Sequence, residues 1–308
     1  MGVKSVIHDV AIIGAGPAGI AAAIQLKRSG ITPLLFEKTK IGGLLNNAYL
    51  VENYPGFPNG ISGVKLVEKF KQHLKKWKIG IKKEYVTDVC RHKGCFSIKA
   101  KKNYRSKFVI IASGTKPIRL NNSIEEVKGK VFSEVYPLRN VRKKKIVIVG
   151  AGDAALDYTL NLSRLNHVFL INRSARIKGL DLLFRRIRKE RRKENVTYMP
   201  QTSFMSVRQL YNCATVQLRN NRETIEMRCD YVLLAIGREP NTDFLDSSLR
   251  RSFPRGNNKD IFFIGDVKHG DSRQTSIAVG DGIQAAMRIY ETLKTQKNRR
   301  DRRKHKGR

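Results

Sequence analysis

The pattern that most restricts this chain is a short apolar run ending in a glycine-rich turn, which occurs twice at domain spacing. Asp9-Val10-Ala11-Ile12-Ile13 leads into Gly14-Ala15-Gly16-Pro17-Ala18-Gly19, and the helical spacing Ile20, Ala23, Ile24 and Lys27 follows. Lys145-Ile146-Val147-Ile148-Val149 leads in the same way into Gly150-Ala151-Gly152-Asp153-Ala154-Ala155, with a helix over Leu156 to Ser163 and a strand over Val168-Phe169-Leu170-Ile171. Strand, tight turn and helix in that order form a mononucleotide cradle. The first glycine makes the bend, the second lets the backbone approach a pyrophosphate, and the third lets helix pack on strand. The phosphate sits where free helix N–H groups and the helix dipole favour an anion.

Each unit closes alike, the first with Phe108-Val109-Ile110-Ile111-Ala112-Ser113-Gly114 and the second with Tyr231-Val232-Leu233-Leu234-Ala235-Ile236-Gly237. This is duplication of a domain, not a solenoid repeat. The 308 residues suit about two domains, so the expected fold is α/β with two doubly wound Rossmann-like units.

The ends of the two second strands distinguish the nucleotides. Pro33-Leu34-Leu35-Phe36 ends in Glu37, 23 residues after Gly14, near the offset at which an acid accepts a hydrogen bond from a ribose hydroxyl. The corresponding strand of the second unit ends in Asn172-Arg173, with Arg176 and Lys178 close by. A free ribose diol lacks its acid there, whereas a 2′-phosphate finds guanidinium partners. The second site therefore suits NADPH better than NADH.

These segments, together with Ile41-Gly42-Gly43-Leu44, Val51-Glu52-Asn53-Tyr54-Pro55-Gly56, Ile264-Gly265-Asp266-Val267 and Arg273-Gln274-Thr275, resemble the FAD-dependent pyridine nucleotide oxidoreductases of the low-molecular-weight thioredoxin reductase type. The resemblance reaches to about Leu293. It implies a discontinuous FAD domain over 1–118 and 241–293, with an NADPH domain over 119–240 inserted on two connecting strands. It also implies that Asp266 bonds the ribityl chain, that Arg273, Gln274 and Thr275 lie by the flavin ring, and that Asn53, Gly42, Gly43 and Leu44 line its other side. The helix after Thr275 would then aim its positive end at the ring as negative charge builds up. A homodimer is common among such relatives.

The resemblance has one gap. Thioredoxin reductases of this type carry Cys-x-x-Cys shortly before the NADPH turn, and an ungapped count from Lys145 places those positions on Ser133 and Tyr136. Neither residue performs thiol–disulfide exchange. Both are candidates to face the flavin, where Tyr136 would shield it from oxygen. The four cysteines, Cys90, Cys95, Cys213 and Cys229, form no Cys-x-x-Cys; the first two flank a hairpin turn and the others read as strand packing residues. They are too sparse for a secreted disulfide framework, so a reducing cytoplasm is expected. The six histidines show no metal-ligand spacing.

Without a relay, electrons pass from flavin directly to an acceptor. The 61 Lys and Arg against 26 Asp and Glu give a net charge of +35, which would steer an acidic carrier. Relatives of this type that lack the cysteine pair include ferredoxin and flavodoxin NADP reductases, so the resemblance implies ferredoxin or flavodoxin as the favoured acceptor. A small disulfide, a quinone and oxygen stay open, as does a non-catalytic flavin- or nucleotide-binding redox sensor. The cationic run Arg185 to Lys193 reads as a basic helix, and the basic tail over 294–308 as disordered. With no recognition motif beside them, nucleic-acid binding is expected only as a weak side property. No apolar run is long enough to span a membrane.

Overall fold

In the computed structural model, residues 6–118, 120, 127–190, 194–220, 223–253 and 259–306 are described. Strand β1 (Ile7–Ile13) runs into helix α1 (Pro17–Arg28) and back to β2 (Leu34–Phe36). Pro17 stands in the first turn of α1, where its missing N–H costs nothing. Helix α2 (Gly63–Lys76), β3 (Ile81–Lys82), the hairpin β4 (Asp88–His92) and β5 (Cys95–Lys99), and the long β6 (Asn103–Ile111) complete this part of the chain. The sheet order is β3-β2-β1-β6-β5-β4.

The chain then leaves through β7 (Thr115–Pro117) and builds β8 (Val131–Phe132), β9 (Lys145–Val149), α3 (Asp153–Leu162), β10 (His167–Ile171), α4 (Asp181–Glu190) and β11 (Val196–Met199). The antiparallel strands β12 (Thr202–Leu210), β13 (Cys213–Asn220) and β14 (Glu223–Cys229) follow, then β15 (Tyr231–Leu234). A second parallel sheet results, ordered β11-β10-β9-β15-β8. The return strand β16 (Arg238–Pro240) pairs with β7 in a two-stranded ribbon. After α5 (Ser247–Ser252), β17 (Ile261–Phe263) rejoins the first sheet beside Val109–Ile111 of β6, and α6 (Thr275–Lys306) ends the described chain. One unit is thus inserted in the other.

The central strands are apolar on both faces because both faces are covered. Along β1, Val10 and Ile12 join the core beneath α1 and α6, while Ala11 and Ile13 join the opposite core with Phe96, Phe244 and Leu249. Along β9, Ile146 and Ile148 pack under α3 and α4, and Val147 and Val149 under Val207, Val216 and Leu218 of the antiparallel strands. The second unit therefore carries a small sheet where a doubly wound fold has helices. Alternation of polar and apolar residues in β13 suits a sheet with one buried face.

The tail departs from the sequence expectation. Helix α6 continues through Lys306, and only Gly307 and Arg308 of the basic run lie outside the described residues. No Pro or Gly interrupts 283–306, and Lys and Arg are good helix formers, so local propensity carries the helix through the charge run. The basic helix expected from Arg185 is α4, beginning at Asp181; Arg191, Arg192 and Lys193 lie outside the described residues.

Candidate functional site

Both glycine turns open on one cleft of about 1770 Å³, well above the roughly 300–1,000 Å³ of an ordinary small-molecule pocket. In the first turn, Gly14 has φ +108°, and a Cβ there would lie 2.3 Å from the Ala112 carbonyl oxygen. Gly19 would set a Cβ 1.9 Å from the Gly14 oxygen, whereas Gly16 has nothing within 4 Å. The first and third glycines are thus demanded by packing, and the second leaves open space facing the cleft. The other turn repeats this: Gly150 has φ +128° with a Cβ 2.3 Å from the Ala235 oxygen, and Gly152 is open. No side chain caps the N-terminus of α1 and no acid stands in its first turn, so its N–H groups suit a phosphate.

Glu37 enters the cleft in a set orientation. One carboxylate oxygen accepts from the Ala15 N–H at 2.9 Å and the other from the Thr39 N–H at 2.8 Å. Asp266 lies on the far side, with no hydrogen-bond partner for its carboxylate among the described residues. Burial pushes its pKa up against the opposing pull of Arg273 and Arg238. A half-buried acceptor of this kind on the cleft wall fits a hydroxyl donor. Asn53 and Gln274 meet across the sequence, the carboxamide of one donating to the other at 2.8 Å. Arg273 donates to the Arg238 carbonyl at 3.1 Å, and α6 starts at Thr275 on the cleft wall. These features fit a flavin dinucleotide.

Of the sequence-derived candidates, Gly14, Gly16, Pro17, Ala18, Glu37, Gly43, Leu44, Asn53, Gly114, Asp266, Arg273, Gln274 and Thr275 line the cleft on the first unit's side. Gly150, Gly152, Asp153, Ala154, Asn172, Arg173 and Gly237 line it on the second, and Ser133 and Tyr136 stand between. Gly19, Gly42, Gly265 and Ala155 sit behind the wall. There they admit close packing: a Cβ on Gly42 would lie 2.4 Å from Val67, and one on Gly265 2.8 Å from Ala18. Arg176 is not among the residues that line the cleft. Its carbonyl is held by the Asn172 carboxamide at 3.2 Å and the Ser174 hydroxyl at 3.1 Å, which folds this loop back and leaves Arg173 and Lys178 as the cations on the wall.

Side chains that sequence reasoning missed join the two units. The buried Asn47 accepts from the Tyr136 N–H at 3.0 Å and donates to Glu134 at 3.3 Å. Asp157 on α3 accepts from the Tyr49 N–H at 2.8 Å. Arg238 holds Thr115 through two hydrogen bonds of 3.0 Å and lies 3.5 Å from Glu134. No periodicity marks these residues. Asp157, one position after a core leucine in a helix, carried the single available signal.

Burial raises the Asp157 pKa to about 6, against the opposing N–H groups of Tyr49 and Leu50. A carboxyl whose folded pKa exceeds its unfolded value binds protons more tightly when folded, so its contribution to stability falls as pH rises from about 4 to 6. The ionised, buried group then costs up to about 3 kcal/mol. Asp157→Asn should therefore gain thermal stability relative to the parent across that window and hold the gain at pH 8. Parallel melting curves for the two proteins at every pH would contradict this.

Comparison with known proteins places the architecture. The pyridine nucleotide-disulphide oxidoreductase family matches residues 8–282. Thioredoxin reductase of Mycolicibacterium smegmatis is 28% identical over 314 residues, covering 96% of this chain and 100% of that one. A 34.2 kDa protein in a rubredoxin operon of Clostridium pasteurianum is 29% identical over 302 residues, covering 91% and 95%. Among solved structures, thioredoxin reductase of Lactococcus lactis, in its FR conformation, superposes with a TM-score of 0.81 at 28% identity, covering 92% of this chain and 98% of that one. Bacillithiol disulfide reductase of Bacillus cereus shares the fold at a TM-score of 0.76 and 17% identity, covering 93% and 100%. The chain, with its paired glycine turns on one cleft, belongs to the pyridine nucleotide-disulphide oxidoreductase family.

Proposed function

We propose that electrons leave this enzyme directly from the flavin cleft to an external acceptor, with ferredoxin or flavodoxin favoured and no internal dithiol relay. The chain is a thioredoxin reductase-like oxidoreductase that uses FAD and NADPH. When bound, FAD supplies the hydride acceptor and the electron store, and the protein supplies orientation and field.

The Gly14 turn and the uncapped start of α1 would hold the FAD pyrophosphate. Glu37, already aligned by Ala15 and Thr39, would accept from a ribose hydroxyl, and Asp266 from the ribityl chain. Asn53 and the start of α6 would flank the ring. The Gly150 turn would hold NADPH, with Arg173 and Lys178 on its 2′-phosphate. Domain limits at 118/119 and 240/241 are supported by the β7–β16 ribbon, which ends there.

The observation that carries direct transfer is the placement of sulfur. All four cysteines are free, and none lines the cleft, whereas Ser133 and Tyr136 do. Cys90 and Cys95 belong to the β4–β5 hairpin and Cys213 and Cys229 to the small antiparallel sheet. Burial raises the Cys229 pKa to about 12, which suppresses the thiolate that exchange requires. The relative from a rubredoxin operon is consistent with an electron-carrier setting.

Anaerobic NADPH should bleach the yellow protein, and an acceptor panel followed by flavin absorbance should identify what restores the colour. Failure of NADPH to bleach the flavin would remove the enzymatic reading. Arg173→Ala should raise the KM for NADPH roughly 10- to 100-fold, the loss of about 1.5–3 kcal/mol typical of a hydrogen bond to a charged group. The KM for NADH should barely move, and an equal rise for both would refute the 2′-phosphate assignment.

A further inference from the structure

We infer that the cationic rim around Tyr136, formed by Lys40, Arg139 and the Lys71–Lys75 flank of α2, is the docking surface for an acidic electron-carrier protein. This rests on the direct-transfer reading above and says where the partner sits. Tyr136 lines the cleft at one of the two positions a relay would occupy. Lys40 Nζ stands 3.6 Å and Arg139 Cζ 3.8 Å from its ring centroid. The Arg139 guanidinium foremost, with Lys40 and Lys71 adding to it, holds the phenol below its usual pKa.

The charge at this rim is unbalanced. Arg186 is paired with Glu52 and Arg238 with Glu134, and Lys71 of the rim itself has Glu68 at 3.4 Å, so the uncompensated charge rests on Lys40 and Arg139. Lys40 and Arg139 have no carboxylate partner among the described residues. The aromatic ring offsets part of their charge through its negative face, but it supplies no counterion. Lys71 and Lys75, both exposed, stand one helical turn apart on the same flank of α2 and extend the rim.

The cations come from three separate segments of chain, which spreads them over a wider surface than a small anion covers. An acidic protein meets such a surface with several carboxylates at once. The overall +35 charge adds long-range attraction, and the rim supplies the orientation that brings a carrier to the Tyr136 edge of the cleft. Each NADPH oxidised to NADP⁺ yields two electrons and one proton, so two molecules of a one-electron carrier are reduced per turnover.

The test uses the holoenzyme with a plant-type [2Fe–2S] ferredoxin and a flavodoxin as carriers, and menadione as a neutral small acceptor. Lys71→Glu with Arg139→Glu should raise the KM for the carriers on the order of tenfold at low salt and flatten their salt dependence. Its NADPH-dependent flavin bleaching and menadione turnover should match the parent. Lys101→Glu with Lys102→Glu carries the same charge change at the opposite end of β6 and should have little effect. If Arg139→Glu impairs folding, Lys71→Glu with Lys75→Glu replaces it. Equal loss in the rim and control variants, or loss of menadione turnover with the carriers, overturns the rim. Failure of either carrier to reoxidise the NADPH-bleached parent overturns it too, and leaves the NADPH and FAD assignments standing.

Discussion

Gly16→Val is expected to give a folded protein that purifies without colour. Gly16 has φ −77° and no atom within 4 Å of where a Cβ would stand, so the substitution neither strains the backbone nor overpacks the turn. The melting temperature should stay within a few degrees of the parent. The added side chain instead fills the open face of the turn, where the backbone of such cradles approaches a pyrophosphate. Gly14→Val is the contrasting case. It forces a β-branched residue to φ +108° against the Ala112 carbonyl, at a strain of roughly 1–3 kcal/mol before any clash is counted, and should lose stability together with FAD. Flavin absorbance per mole of protein and a melting curve separate the two. Full FAD occupancy in Gly16→Val would show that the dinucleotide does not lie on this turn.

The second large effect is an absence of activity with thioredoxin. Although the relatives include thioredoxin reductases, thioredoxin added with NADPH should be reduced only at background, because no sulfur lines the cleft. Passing two electrons to a disulfide through the protein requires a thiolate that attacks it, and a serine or tyrosine oxygen does not substitute. Ser133→Cys together with Tyr136→Cys, and neither alone, should produce measurable thioredoxin-dependent NADPH oxidation. Robust thioredoxin reduction by the unmodified chain would show that the relay argument is wrong.

The elements set by local chemistry were legible in the sequence. The two turns, the central strands on either side of them and the Cys90–Cys95 hairpin follow from glycine placement, apolar runs and alternation, and each appears where those patterns put it. Charge and sequence proximity do not report which way the loop after β10 folds; two hydrogen bonds to the Arg176 carbonyl set its backbone. In the tail, helix propensity carries α6 to Lys306, where like-charge repulsion by itself predicts no fixed structure. The small antiparallel sheet covering one face of the second unit left only the signal of three alternating strands.

The joints between the units were not legible at all. Asn47 meets Tyr136 across 89 positions, Tyr49 meets Asp157 across 108, and Glu52 meets Arg186 across 134. By itself the sequence determined two glycine-turn cradles, an acid after the second strand of the first, an arginine at the matching place in the second and the want of a cysteine pair, because each depends on backbone geometry or residue identity within a short stretch of chain. Only the tertiary structure decided that both cradles share one cleft and that Tyr136 stands at its edge beside Lys40 and Arg139, which have no carboxylate partner among the described residues. Those facts depend on which distant surfaces are brought together when the β7–β16 ribbon sets one sheet against the other, and short-range patterns carry no record of that.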